Sequence, residues 1–241
     1  MQTLLDKIKQ DVFVRRPVLL ELLEQYGRKS LKEYVVNCWQ VPNYKPNTLF
    51  LNILKNQTEK LYGQDLAKGV INQLIQKSLV STIDHLGIWN HPIFVNSSLI
   101  YSLHFKPQEF AVVLATESVS LNNTSSWSGS LLLHDQNLKH QRYSFFPDKL
   151  KTLPVFSAPG LDRMNLELIN EHSKGLFFNL FEKLNLQNLS TKLNFSSQSS
   201  ILSSKLWSHV FPSAPKLSFL PSPLGLKADG KDMSLQFCNK F

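Results

Sequence analysis

Cysteine is scarce in this chain. Cys38 and Cys238 are the two in 241 residues, and they lie far apart in the sequence. No Cys-x-x-Cys pair occurs, which excludes a cysteine zinc site. Two cysteines do not make a disulfide framework in a chain of this size, so a reducing, cytoplasmic compartment is the simpler expectation. Long apolar runs are also missing. No stretch of eighteen apolar residues occurs, so no spanning helix is expected, and the first ten residues lack the apolar core of a signal peptide. Glycine-rich phosphate loops, a Gly-x-Ser-x-Gly elbow and internal repeats are absent as well. These absences leave no nucleotide motif, no hydrolase elbow and no solenoid to argue from.

Arginine is sparse, at positions 15, 16, 28, 142 and 163. The formal net charge of +8 therefore comes mainly from lysine. The lysines are scattered and form no block, so a basic solvated surface is favoured over a nucleic-acid interface. Hydrophobic residues make up 42% and charged residues 18%, values that suit a globular chain able to bury a sizeable core without staples.

The apolar pattern divides the chain into three regions. Residues 1–77 read as helical. Leu19, Leu20, Leu22, Leu23 and Tyr26 form a stripe after Pro17, and Leu66, Val70, Ile71, Leu74 and Ile75 form another. Asn47 is a candidate N-cap and Gly63 a stop for the helix between them. Residues 78–185 read as a mixed core. A short β-branched stretch at 79–83 and a continuous apolar run at 110–115 read as strands, with a helix near 92–105 between them. Residues 130–133 and 143–146 are expected to pair as a hairpin, and 154–158 to add a strand. Residues 161–185 read as helical. Residues 186–241 are rich in serine and proline, and are expected either to pack on the core or to belong to a larger fold. The fold class is therefore α/β or α+β: an N-terminal helical region, then a mixed sheet with flanking helices. Val80, Val112, Val113, Leu114, Leu132 and Phe156 are the expected core.

Chemically capable residues cluster at 81–91, where Ser81, Thr82, Asp84, His85, Asn90 and His91 stand within eleven positions. Imidazole with carboxylate suits a divalent metal, and equally a general base with an orienting acid. The spacing of His85 and His91 is not that of a helical zinc motif, so a loop would have to bring them together. The bland alternative is a turn, with Asp84 as an Asx or capping residue. A second polar segment spans 117–130, where Glu117, Asn122, Asn123 and Ser125 offer hydrogen-bonding groups beside Trp127 and Gly129. Its bland alternative is a solvated loop. Cys38 sits among Val35, Val36 and Trp39 and reads as buried rather than nucleophilic. His134 and His140 flank the hairpin turn and read as exposed.

If the strands before the two segments are parallel, both loops leave the same carboxyl edge, where open α/β sheets bind ligands. Asp84, His85, His91 and Glu117 are then the candidate catalytic groups, with Asp84, His85 and His91 also the candidate metal ligands. Ser81, Thr82, Asn90, Asn122, Asn123 and Ser125 are the candidate substrate contacts. The leading expectation is an enzyme acting on a small polar metabolite, by metal-assisted hydrolysis or lyase chemistry. The alternatives are a nucleic-acid or anionic-partner binding module, and a structural or interaction protein or part of a larger fold. No membrane partner is expected, and oligomeric state is not readable from the sequence.

Overall fold

The computed structural model describes residues 3–38, 45–77, 79–83, 86–88, 92–123, 128–134, 140–162, 167, 192–222, 227–228 and 231–232. Contacts divide the chain into two compact units, residues 1–41 and 42–241.

The first unit is helical: α1 (Leu4–Arg15), α2 (Val18–Tyr26) and α3 (Leu31–Cys38). Two capping boxes start α1 and α3. The Asp6 carboxylate accepts from the Thr3 backbone N–H at 3.0 Å, and the Asp6 N–H donates to the Thr3 hydroxyl. Ser30 and Glu33 repeat the arrangement, with the Ser30 N–H donating to Glu33 at 2.7 Å. Each box satisfies two N–H groups that a helix start otherwise leaves open. These bonds hold the exposed Asp6 and Glu33 carboxyls below their ordinary range.

The second unit is an α/β fold. It contains α4 (Thr48–Tyr62), α5 (Gln64–Lys77), β1 (Ser81–Ile83), α6 (Pro92–Ser102), β2 (Phe110–Thr116), β3 (Ser130–His134) and β4 (His140–Ser144). After these come α7 (Phe195–Val210), β5 (Lys216–Ser222), β6 (Lys227–Ala228) and β7 (Lys231–Asp232). Asn47 caps α4, accepting from the Leu49 N–H at 2.7 Å. Gly63, at φ 90°, separates α4 from α5. Among the described residues no helix is long and apolar enough to cross a membrane.

Strands β1, β2 and β5 form a parallel sheet with β2 in the centre. Residues on β2 alternate between two faces. Val112 packs with Leu54, Val70, Leu74 and Leu220 against α4 and α5. Ala111, Val113 and Ala115 face the larger cluster, which includes Phe105 of the turn after α6 and Phe195, Leu202 and Trp207 of α7. This is why the 110–115 run is apolar throughout: a strand covered on both faces has no solvent side to mark with polar residues. β3 and β4 pair as an antiparallel hairpin.

Tyrosine hydroxyls close gaps in the sheet. Tyr101 donates to the Leu79 carbonyl at 2.9 Å and accepts from the Val112 N–H at 3.0 Å, bridging the two strands just before their ladder begins. On β5, Tyr62 donates to the Phe219 carbonyl, and the Phe219 N–H donates to the Ser204 hydroxyl. Two side chains thus satisfy β5 on the side where, among the described residues, no strand pairs with it.

Three expectations are revised. Residues 154–158 form a 3-10 turn over Val155–Ser157 rather than a strand, with an isolated bridge from Pro154 to Ser120. Phe156, which has no sheet neighbour to alternate against, is consequently half exposed rather than core. The serine-rich stretch at 195–210 is a continuous sixteen-residue helix. Val112 and Val113 are buried as expected, while Val80 and Leu114 are partly buried against the α4–α5 cluster. Most of the expected helix at 161–185, and the side chains of Leu132 and Cys38, lie outside the described residues.

Tyr101→Phe should lower stability by about 1–3 kcal/mol, because it leaves the buried Val112 N–H without an acceptor. Urea unfolding checks this. The midpoint should fall while the slope with denaturant stays constant.

Candidate active site at the carboxyl edge of the sheet

Because β1 and β2 are parallel, the segments that follow them leave the same edge. The Leu86 N–H donates to the Thr116 carbonyl at 2.9 Å, holding the first segment to the end of β2. Gly87 then lies against the second segment. A Cβ built at Gly87 would stand 3.4 Å from Ser128 Cα, so the two backbones approach with room for about one methyl group between them. The Gly87 carbonyl accepts from the Ser203 hydroxyl of α7 at 2.9 Å.

Glu117 is the first residue past β2. Its side chain is half buried, and its carboxylate accepts a hydrogen bond from the Ser196 hydroxyl near the start of α7. The Glu117 carbonyl accepts from the Phe156 N–H at 3.1 Å, fixing the backbone. Loss of water around the carboxyl raises its pKa above the ordinary value, and the Ser196 bond offsets part of that rise. A carboxyl in this position takes up and releases a proton closer to neutral pH than a solvated one.

Behind Ser196, α7 is anchored firmly. Its N-cap Asn194 accepts from the Ser197 N–H. The buried Gln198 side chain makes a two-way bond with Leu161: it accepts from the Leu161 N–H at 2.6 Å and donates to the Leu161 carbonyl at 3.0 Å. Gly160 sits tightly beside this clamp, where a Cβ would fall 2.0 Å from the Leu193 carbonyl oxygen. No other residue fits there without moving the backbone.

The other candidate residues are distributed as follows. Ser81 and Thr82 lie within β1, paired with Val113 and Leu114, and Thr82 is exposed. Asn122 is exposed and Asn123 half exposed, at a turn closed by the Asn123 N–H to the Ser120 carbonyl. The stretch from Glu117 leads there, tied to 151–156 by the Leu121 N–H to the Leu153 carbonyl and the Asn122 N–H to the Lys151 carbonyl. Asp84, His85, Asn90, His91 and Ser125 lie outside the described residues. Among the described residues no group of three or more His, Cys, Asp or Glu side chains is placed to hold a metal ion.

Ser196 and Ser203 do not stand out in the sequence, where they belong to the serine- and proline-rich stretch at 186–241. The available signal was Asn194 as an N-cap, followed by Phe195, Leu202, Leu206 and Trp207 at helical spacing.

The raised pKa of Glu117 has a defined sign for stability. A carboxyl whose folded pKa exceeds its unfolded value stabilises the fold fully below the unfolded pKa. That contribution is lost as pH rises through the folded pKa. Glu117→Gln keeps an acceptor for Ser196 and removes the charge, so its melting temperature should gain on the wild type's as pH rises. The gap should close below about pH 4, where the unfolded carboxyl is also protonated. Thermal unfolding of both proteins across pH checks this. Comparison with protein-family models, curated proteins and solved structures finds no match for this chain, which leaves the geometry of this edge as the basis for a functional reading.

Proposed function

We propose that residues 42–241 carry an enzyme acting on a small polar molecule at the carboxyl edge of the β1–β2–β5 sheet, with Glu117 as the proton donor or acceptor. The observation that supports this reading is the half-buried Glu117 carboxyl, raised in pKa by desolvation and aligned by Ser196, where two polar segments approach each other. General acid–base catalysis uses a carboxyl of this kind, whose pKa is raised above that of a solvated one. Structural carboxylates on this chain behave differently: Asp6, Glu33, Glu109 and Asp148 all sit below their ordinary values.

In this reading Asp84, His85 and His91 supply the second half of the chemistry. They belong to the segment whose Gly87 approaches Ser128. An imidazole can serve as the partner acid or base, or can join Asp84 in holding a divalent cation. Asn90 and Ser125 offer hydrogen bonds to the substrate's oxygens. Hydrolysis and lyase chemistry both fit a carboxyl–imidazole pair.

A screen of small polar metabolites, with and without added divalent metal, tests the proposal. Once turnover is found, Glu117→Gln, His85→Ala and His91→Ala should each lower it by about 10²–10⁴-fold, the usual contribution of a positioned acid or base. Unfolding midpoints should change little in comparison. Full turnover in all three variants would sink the assignment.

A further inference from the structure

The β3–β4 hairpin carries a feature that the acid–base reading of Glu117 does not use. Its register runs from Ser130 opposite Ser144 to His134 opposite His140. Two of the seven histidines thus stand as a cross-strand pair at one end of the ladder. The other end is anchored. Phe145 and Phe146 are buried in the main core cluster, and the Phe145 N–H donates to the Gly129 carbonyl at 3.0 Å.

That bond identifies the kind of pair the histidines form. Antiparallel ladders alternate between hydrogen-bonded pairs and pairs with no bond between them, in which the two residues stand closer. Gly129 with Phe145 continues the register and is hydrogen-bonded, so Leu131 with Tyr143 and Leu133 with Gln141 are of the same kind. Ser130 with Ser144, Leu132 with Arg142 and His134 with His140 are then the closer pairs, and all three belong to one face of the hairpin. Directly opposed residues have Cβ atoms about 4.5–5.5 Å apart, the closer pairs at the short end. Residues four apart on a helix have Cβ atoms about 5–6 Å apart. The helical motif His-Glu-x-x-His uses that spacing to put two imidazoles on one zinc ion. Strand pairing gives the hairpin an equivalent spacing, which a search for helical motifs does not detect.

Arg142 shares this face, and its charge would oppose a cation. Its Nε–H donates to the Ser130 hydroxyl at 3.1 Å, toward the anchored end. The guanidinium is thereby drawn away from the histidine pair. We infer that His134 and His140 together bind one divalent transition-metal ion of the imidazole-preferring class, zinc among them, with solvent oxygens completing its coordination. Two protein ligands suffice for an ion that keeps its waters, and the group of three or more that a closed site needs is not found among the described residues. β3 and β4 form a two-stranded sheet of their own, and such a sheet is marginally stable alone. An ion bound across the pair joins the end that the core does not hold, and stabilises the paired strands by mass action. The site stands independently of Glu117 and of the Asp84, His85 and His91 segment.

Zinc chloride is the probe. The full chain is titrated with it, following the imidazole ring-proton NMR signals, assigned with His134→Gln and His140→Gln. The His134 and His140 signals should move together along one saturating curve. Magnesium, which prefers oxygen ligands, should move neither. Removing either imidazole should raise the zinc concentration that half-saturates the other by at least about tenfold, because the second ligand otherwise binds intramolecularly. His140→Gln combined with Gln141→His keeps the composition and moves one imidazole to the opposite face of the ladder. That exchange should abolish the shared curve, and it serves if a single variant does not fold. The inference is overturned if the two wild-type signals fail to saturate together, or if magnesium moves them equally. It is overturned too if a single variant stays within about twofold of the wild type, or if the exchanged chain still binds zinc through both residues.

Discussion

The fold depends on the pairing of β2 with a parallel strand on each side. Its seven residues match β5 in full register, from Phe110 with Lys216 to Thr116 with Ser222, and match β1 over Ser81–Ile83. Ala111, Val113 and Ala115 seed one core and Val112 the other, so the strand binds two helical layers. A buried large apolar side chain contributes about 1.5–3 kcal/mol, and nearly every side chain along β2 is committed to one face or the other. The same pairing has a chemical consequence. Parallel strands cannot be joined by tight turns, so the segments following β1 and β2 must both begin at the carboxyl edge. The approach of Gly87 to Ser128, and the position of Glu117, follow from strand direction before any side-chain chemistry is considered.

Helix α7 completes that edge by polar rather than apolar means. Its buried side includes Ser196, Gln198, Ser199, Ser200 and Ser203 beside Phe195, Leu202 and Leu206. Most of these polar groups have specific work. Ser196 holds a carboxylate, Gln198 holds the backbone of Leu161, Ser203 holds the carbonyl of Gly87, and Ser204 receives the edge N–H of Phe219. Each such bond contributes only about 0.5–1.5 kcal/mol net. Their larger effect is on register. Sliding α7 by one residue would strip partners from buried groups on three different segments together, at about 1–3 kcal/mol for each group left unpaired. Small side chains also permit close approach of helix to sheet, which bulky apolar residues would prevent.

That polarity explains what was legible in the sequence and what was not. The β2 run, the hairpin and the N-terminal helices carry unmixed signals: a continuous apolar stretch, two strands flanking a polar turn, stripes at helical spacing. α7 mixes its signals. Serine occupies buried positions where periodicity analysis expects leucine, so a helix resembled a low-complexity tail. The 154–158 segment fails for the opposite reason. Val155 and Ala158 are buried and the segment looks apolar, but Pro154 opens a tight turn, which leaves Phe156 half exposed. Of the candidate site, Glu117 was legible as a carboxylate bordering a strand. Its partner Ser196 lies 79 positions away in sequence, and nothing local to either residue announces the pair.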